Sequence, residues 1–112
     1  MAAYVELIMD QGATFNNIIN LSDDINNEAV NVSGFTVRSQ MRRSYYSANA
    51  TANITCTITN AAQGEITMNL NANTTANIKA GRYLFDLETV DTIGTVSRVL
   101  EGIITVTPGI TR

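Results

Sequence analysis

Few residues in this chain have the type and spacing for chemistry. Among its 112 residues there is no histidine and one cysteine, Cys56. The commonest general base and the commonest metal ligand are therefore missing. Cys56 lies within Ile54-Thr55-Cys56-Thr57-Ile58, on the apolar side of an alternating run. A thiol so placed reads as an inert core residue rather than a nucleophile. Asp86 and Glu88 fall two residues apart and share a strand face, but a hydrolytic pair must converge on one cleft. Outward acids are routine on strands, so both read as solvated charges. Asp23, Asp24, Asn26, Asn27 and Glu28 could offer oxygens to Ca²⁺. Their spacing lacks the central glycine of a calcium loop and fits a polar turn. No glycine-rich phosphate loop occurs. The expectation is no catalytic residue, no cofactor and no metal site.

One basic-aromatic cluster stands out: Arg38, Arg42 and Arg43, followed by Tyr45 and Tyr46. It could stack bases and neutralise phosphates. It could equally be a strand's outer face running into a loop. A third reading is a protein interface, since Arg and Tyr are enriched at binding hot spots. The net charge of −3 and the lack of any further basic stripe favour the interface and argue against a nucleic-acid partner. The same charge gives no pull toward anionic lipid, and no apolar run is long enough to span a membrane. Ile110 and Arg112, in the tail, are added as candidate interface residues. Triplets such as Asn31-Val32-Ser33, Asn53-Ile54-Thr55 and Asn73-Thr74-Thr75 match a glycosylation pattern, but they arise by chance in an Asn- and Thr-rich chain.

The elements that must position these residues are strands. Period-2 runs recur between turn formers, at residues 4–9, 15–21, 35–41, 53–59, 66–70, 82–90 and 96–106. Phe35, Val37, Ser39 and Met41 share one face, and Thr36, Arg38, Gln40 and Arg42 the other. Ile54, Cys56 and Ile58 alternate with Thr55, Thr57 and Thr59. After a short loop ending in Gly64, Ile66, Met68 and Leu70 alternate with Thr67 and Asn69, which reads as a β-hairpin. Residues 71–78 break the alternation and could hold one helical turn, capped by Asn73 or Thr74 and plugged by Ile78. Gly102, inside the last run, suggests a bulge. Pro108-Gly109 stops the sheet.

About seven strands at regular spacing indicate a single β-sandwich domain over residues 1–112, with short terminal docking segments. Hydrophobic residues make up 45%, enough for one core. Charged residues make up only 15%, below the usual quarter, and Thr and Asn take their place. That exchange suits β structure whose outer surfaces are partly covered by neighbours. One cysteine forms no internal disulfide, so nothing points to an oxidising compartment. The opening residues lack a basic n-region and carry Glu6, so a signal peptide is not expected.

Residues 5–15, Val-Glu-Leu-Ile-Met-Asp-Gln-Gly-Ala-Thr-Phe, resemble the start of small virion proteins of tailed bacteriophages, cyanophages among them. The likeness continues in motif order. Val32-Ser33-Gly34-Phe35 leads into Arg38-x-x-x-Arg42; Ala80-Gly81-x-Tyr83-x-Phe85-Asp86-x-Glu88 follows; Arg98-x-x-Glu101-Gly102-x-x-x-Val106 closes the set. The chain is also similar to the N-terminal attachment domain of upper baseplate proteins. Residues 31–35 depart from the usual Leu-Thr-Gly-Tyr element. The resemblance implies an immunoglobulin-like antiparallel β-sandwich and a non-enzymatic, multi-copy virion component. Its partners would be other virion proteins in a symmetric assembly, put together in the host cytoplasm. It would serve as a tail or baseplate adaptor, with a capsid decoration protein and a receptor- or glycan-binding module as alternatives.

Overall fold

The computed structural model describes residues 3–22 and 29–110. The acidic loop at residues 23–28 and the terminal Arg112 lie outside the described residues. Seven strands form: β1 (Ala3–Asp10), β2 (Phe15–Asn20), β3 (Thr36–Arg42), β4 (Ala52–Asn60), β5 (Glu65–Leu70), β6 (Gly81–Val90) and β7 (Val96–Thr107). A five-residue helix, α1 (Ala72–Ala76), follows β5. The strands are hydrogen-bonded in the order β1-β7-β6-β3-β4-β5-β2.

β4 folds this ladder into two layers. Its first residues, Ala52 to Ile54, pair with β3, and from Thr55 onward it pairs with β5 instead. The first sheet is thus β1, β7, β6, β3 and the start of β4; the second is the rest of β4 with β5 and β2. The grouping of β3, β6 and β7 against β2 and β5 is that of an immunoglobulin domain's C, F, G strands against its B and E strands. The chain is an immunoglobulin-like β-sandwich. All pairings are antiparallel except β1 with β7, which run parallel from Ala3↔Leu100 to Asp10↔Thr107.

The alternation read from the sequence is what closes the core. Met41 and Ile54 from the first sheet meet Ile66, Met68 and Leu70 from the second, together with Tyr83, Phe85, Leu87, Leu100, Ile104 and Val106. Each such aliphatic or aromatic side chain contributes about 1.5–3 kcal/mol by leaving water. Cys56 faces this core but is only half-buried, because the second half of β4 borders a single neighbouring strand.

Two expectations are corrected in detail. Gly102 is not a bulge: it pairs in register with Phe85 on one side and Val5 on the other. The slip lies between Leu87↔Leu100 and Glu88↔Arg98, so Val99 is the extra residue. Gly102 is needed because β1 runs so close that a Cβ there would overlap the Val5 backbone. The helical turn is capped by Asn71, whose Oδ1 accepts from the Thr74 amide at 2.8 Å, rather than by Asn73 or Thr74. A cap side chain must reach the third amide of the helix, and only Asn71 stands at that offset. Ile78 is the buried plug that the sequence suggested.

Thr75, buried beneath this helix, joins the layers. Its single hydroxyl proton is donated to the Ala13 carbonyl at 2.8 Å, with the Ala72 carbonyl sharing it at 3.1 Å, and its Oγ1 accepts from the Gly12 amide at 3.1 Å. The helix that follows β5 is thereby tied to the turn between β1 and β2.

Candidate interaction surface

Strand register places several exposed features on the first sheet. Its outer face carries Tyr4, Glu6 and Ile8 from β1 and Glu101 and Ile103 from β7. Leu84, Asp86 and Glu88 from β6 and Arg38, Gln40 and Arg42 from β3 lie on the same face, as do Arg82, Arg98 and Thr105. β1 ends the strand order, and among the described residues its outer edge has no partner strand. Tyr4 and Ile8 are 62% and 68% exposed. β1 has no proline, lysine or bulge to blunt this edge, and its charges are Glu6 and Asp10.

The basic-aromatic cluster does not form one patch. Arg38 pairs with Glu88 across β3 and β6, Nε to Oε1 at 2.8 Å. Arg42 is structural: it donates to the Ser47 carbonyl and to Gln40 Oε1, both at 2.9 Å. Arg43 turns toward the end of the core, its guanidinium 5.0 Å from the Tyr83 ring centroid in a cation–π arrangement. Tyr45 and Tyr46 project from a tight turn at residues 44–47, 77% and 96% exposed. That turn is held by Ser47 N donating to Ser44 O and by Ser44 N donating to Ser47 Oγ. Ile110 is 95% exposed, just past the Gly109 amide that Gln11 Oε1 accepts. The pairings Asp10↔Thr107, Gly81↔Val106 and Arg42↔Leu84 put Tyr45, Tyr46 and Ile110 at the same end of the sandwich.

Beneath Tyr45 the outer face is hollow. A cavity of about 200 Å³ is lined by Gln40, Arg42, Tyr45, Leu84, Asp86 and Glu101, with Arg98 at its side. A second hollow of about 470 Å³ adjoins it along β3, sharing Gln40 and Asp86 and reaching Asn53. Arg98 spans the two carboxylates, 3.4 Å from Asp86 and 3.4 Å from Glu101. Partial burial, with the nearby Glu88 and Glu101 carboxylates, pushes the Asp86 carboxyl above the usual carboxylate range; Arg98 and Arg38 oppose this without cancelling it. Composition and alternation could place these residues on one face. They could not show the hollow, which depends on how the turn at residues 44–47 curls back over β6.

The thiol of Cys56 is pushed up to about 11 by burial, the reverse of an activated nucleophile. Among the described residues no group of three or more His, Cys, Asp or Glu side chains could hold a metal ion.

Known proteins add the fold and little else. No protein-family profile matches the chain, and no curated protein matches it. An internalin-like protein of Listeria monocytogenes matches in structure over 95% of this chain, with a TM-score of 0.51 and 22% identity. The chain spans 28% of that protein's length. Murine CRIg matches over 93% of this chain and 92% of its own, with a TM-score of 0.43 and 8% identity. Solved chains of similar fold are numerous, 68 in all, so the fold by itself selects no activity.

Proposed function

We propose that this chain is a non-enzymatic structural adaptor of a tailed-phage virion, docking to a neighbouring virion protein through the open edge of β1. The virion context comes from the ordered sequence motifs. The observation that carries the docking mode is the edge itself: eight residues of strand free of proline and lysine, with Tyr4 and Ile8 exposed on one side. Such an edge accepts an added strand, whose backbone hydrogen bonds supply affinity while alternate side chains supply specificity. Ile110, at the end of the sandwich where β1 finishes, provides a second apolar contact. A sandwich whose one thiol is held in its protonated form suits a part that must hold position.

A reconstruction of the intact particle tests this. It should contain multiple symmetric copies of the chain, with β1 continued by a strand from a neighbour. A particle without the chain, or one in which β1 faces solvent, overturns the proposal. Copies spread over the head lattice would instead make it a capsid decoration protein.

A further inference from the structure

The hollow on the outer face has the construction of a binding site. Its aromatic wall is held in place: Arg42 donates to the Ser47 carbonyl, and two hydrogen bonds between Ser44 and Ser47 close the turn that carries Tyr45. The polar floor is held too, since Arg42 donates to Gln40 Oε1 and Gln40 Nε2 donates to Asn53 Oδ1 at 2.8 Å. Arg98 fixes the carboxylates of Asp86 and Glu101 by its two contacts. A ligand arriving here would meet a polar floor already hydrogen-bonded and a turn already closed, which lowers the ordering cost of binding.

The lining also selects a ligand class. Arg42 and Arg98 against Asp86 and Glu101 bring the charge of the cavity to zero, so neither a phosphate nor an ammonium group gains a net partner. Both carboxylates keep acceptor capacity beyond Arg98, since an ionised carboxylate offers about four lone-pair sites. Groups that donate and accept hydrogen bonds in turn fit such a floor. Tyr45 offers an exposed flat ring, and Leu84 an apolar spot, for a ligand face made of C–H groups. At about 10–15 Å³ of such space per water, 200 Å³ accommodates roughly a dozen or more atoms of that size. The adjoining hollow along β3 gives room for the ligand to continue.

We propose that this trough binds a neutral glycan, with one pyranose ring beneath Tyr45 and the chain running over Gln40 toward Asn53. The hydroxyls meet Asp86, Glu101, Arg98 and Gln40; the C–H face lies on Tyr45. The inference does not rest on the adaptor reading, because the trough is on the sheet's face and docking uses its edge.

Amide chemical-shift titration of the full chain tests it, using methyl glycosides of neutral hexoses and their linear trisaccharides. At least one of these sugars should give saturable shifts at Ser44, Tyr45, Asp86 and Glu101, and its trisaccharide should bind several-fold more tightly than the single ring. Tyr45→Ala should weaken binding at least tenfold. Gln40→Ala should reduce the advantage of the trisaccharide. Ile93→Ala, an exposed change at the other end of the sandwich, should alter neither. The proposal fails if no sugar gives saturable shifts up to about 100 mM, where dissociation constants in the tens of millimolar still register. It fails equally if folded Tyr45→Ala binds as wild type, if methyl glucuronide outcompetes the neutral sugars, or if chain length has no effect.

Discussion

The outer face of the β1-β7-β6-β3 sheet is written in charge. Arg38 meets Glu88, Arg98 meets Asp86 and Glu101, and Glu6 and Arg82 flank them. Across the sandwich, the outer face of β2, β5 and β4 is written in hydroxyls and amides. There Asn16, Asn69 and Thr55 align in one row, and Ile18, Thr67 and Thr57 in the next. Thr67 Oγ1 donates to Thr59 Oγ1 at 3.2 Å, and Glu65 supplies the charge. Both sheets bury the same kind of apolar residue inward. The difference shows that inward residues fix the fold, whereas outward residues are free to diverge in chemistry. Both sheets end in an open strand, β1 on the charged side with Tyr4 and Ile8 exposed and β2 on the other with Ile18 exposed; the hollows described above lie on the charged face.

The largest way to break the comparison is at the closest approach in the charged sheet. In Gly102→Ala the new methyl would overlap the Val5 backbone, so β1 must move away from β7. The expected loss is about 2–4 kcal/mol in urea unfolding. Hydrogen exchange should accelerate at the β1 amides while those of β5 stay protected. Unchanged exchange in β1 would mean that the parallel pairing is wrong. On the outer face of the hydroxyl sheet no backbone crowds the side chains in this way, and Thr67→Ala should stay within about 0.5 kcal/mol.

Next comes the tie between the layers. Thr75→Val keeps the shape but removes a buried hydroxyl that serves Ala13, Ala72 and the Gly12 amide. Leaving those backbone groups unpaired should cost about 1–3 kcal/mol. Thr75→Ser keeps the hydroxyl and should recover most of that loss. If valine is tolerated as well as serine, the helix does not connect the sheets in the way described.

Much of this fold was legible because alternation is a local signal. Ile54, Ile58, Ile66, Met68 and Leu70 declare their inward faces within a few residues of chain. β1 was legible as a strand, but its parallel partner was not, because β7 lies far off in sequence. For the same reason Gly102 looked like a bulge; the crowding that demands it comes from Val5. The arrangement of the basic-aromatic cluster was hidden for a different reason. Arg38, Arg42, Arg43, Tyr45 and Tyr46 are neighbours in sequence, yet a strand sends alternate residues to opposite faces and the following turn redirects the rest. Asp86, Arg98 and Glu101, which complete the hollow, come from two other strands.

Cys56 gives a smaller test, set in the second half of β4. With its thiol pushed up from about 9 to about 11, the native protein at pH 8 holds on the order of 0.1% thiolate, against roughly a tenth in an unfolded chain. Iodoacetamide should therefore alkylate the native protein on the order of 100-fold more slowly than the urea-unfolded protein. The sign of the linkage follows from the raised value. Its contribution to stability is complete below the ordinary thiol range near 9 and is lost as pH rises through about 11. Cys56→Ser should flatten that alkaline decline. The side chain is half-buried, so the effect on melting is small and the alkylation rate is the sharper measurement.

The least expensive change falls on the most visible charges. Arg38 and Glu88 form the shortest ion pair of the outer face, yet Arg38 is 59% exposed. Water and salt screen such a pair, and ordering two long side chains offsets much of what remains. A double-mutant cycle of Arg38→Ala and Glu88→Ala should give a coupling of about 0–1 kcal/mol, smaller still in 1 M salt. The ion pairs of the charged face would then add little to stability: Thr75, a single buried hydroxyl, would outweigh the best of them. A coupling well above 1 kcal/mol would reverse that ranking. The charges would then be holding the sheet together rather than standing ready for a ligand.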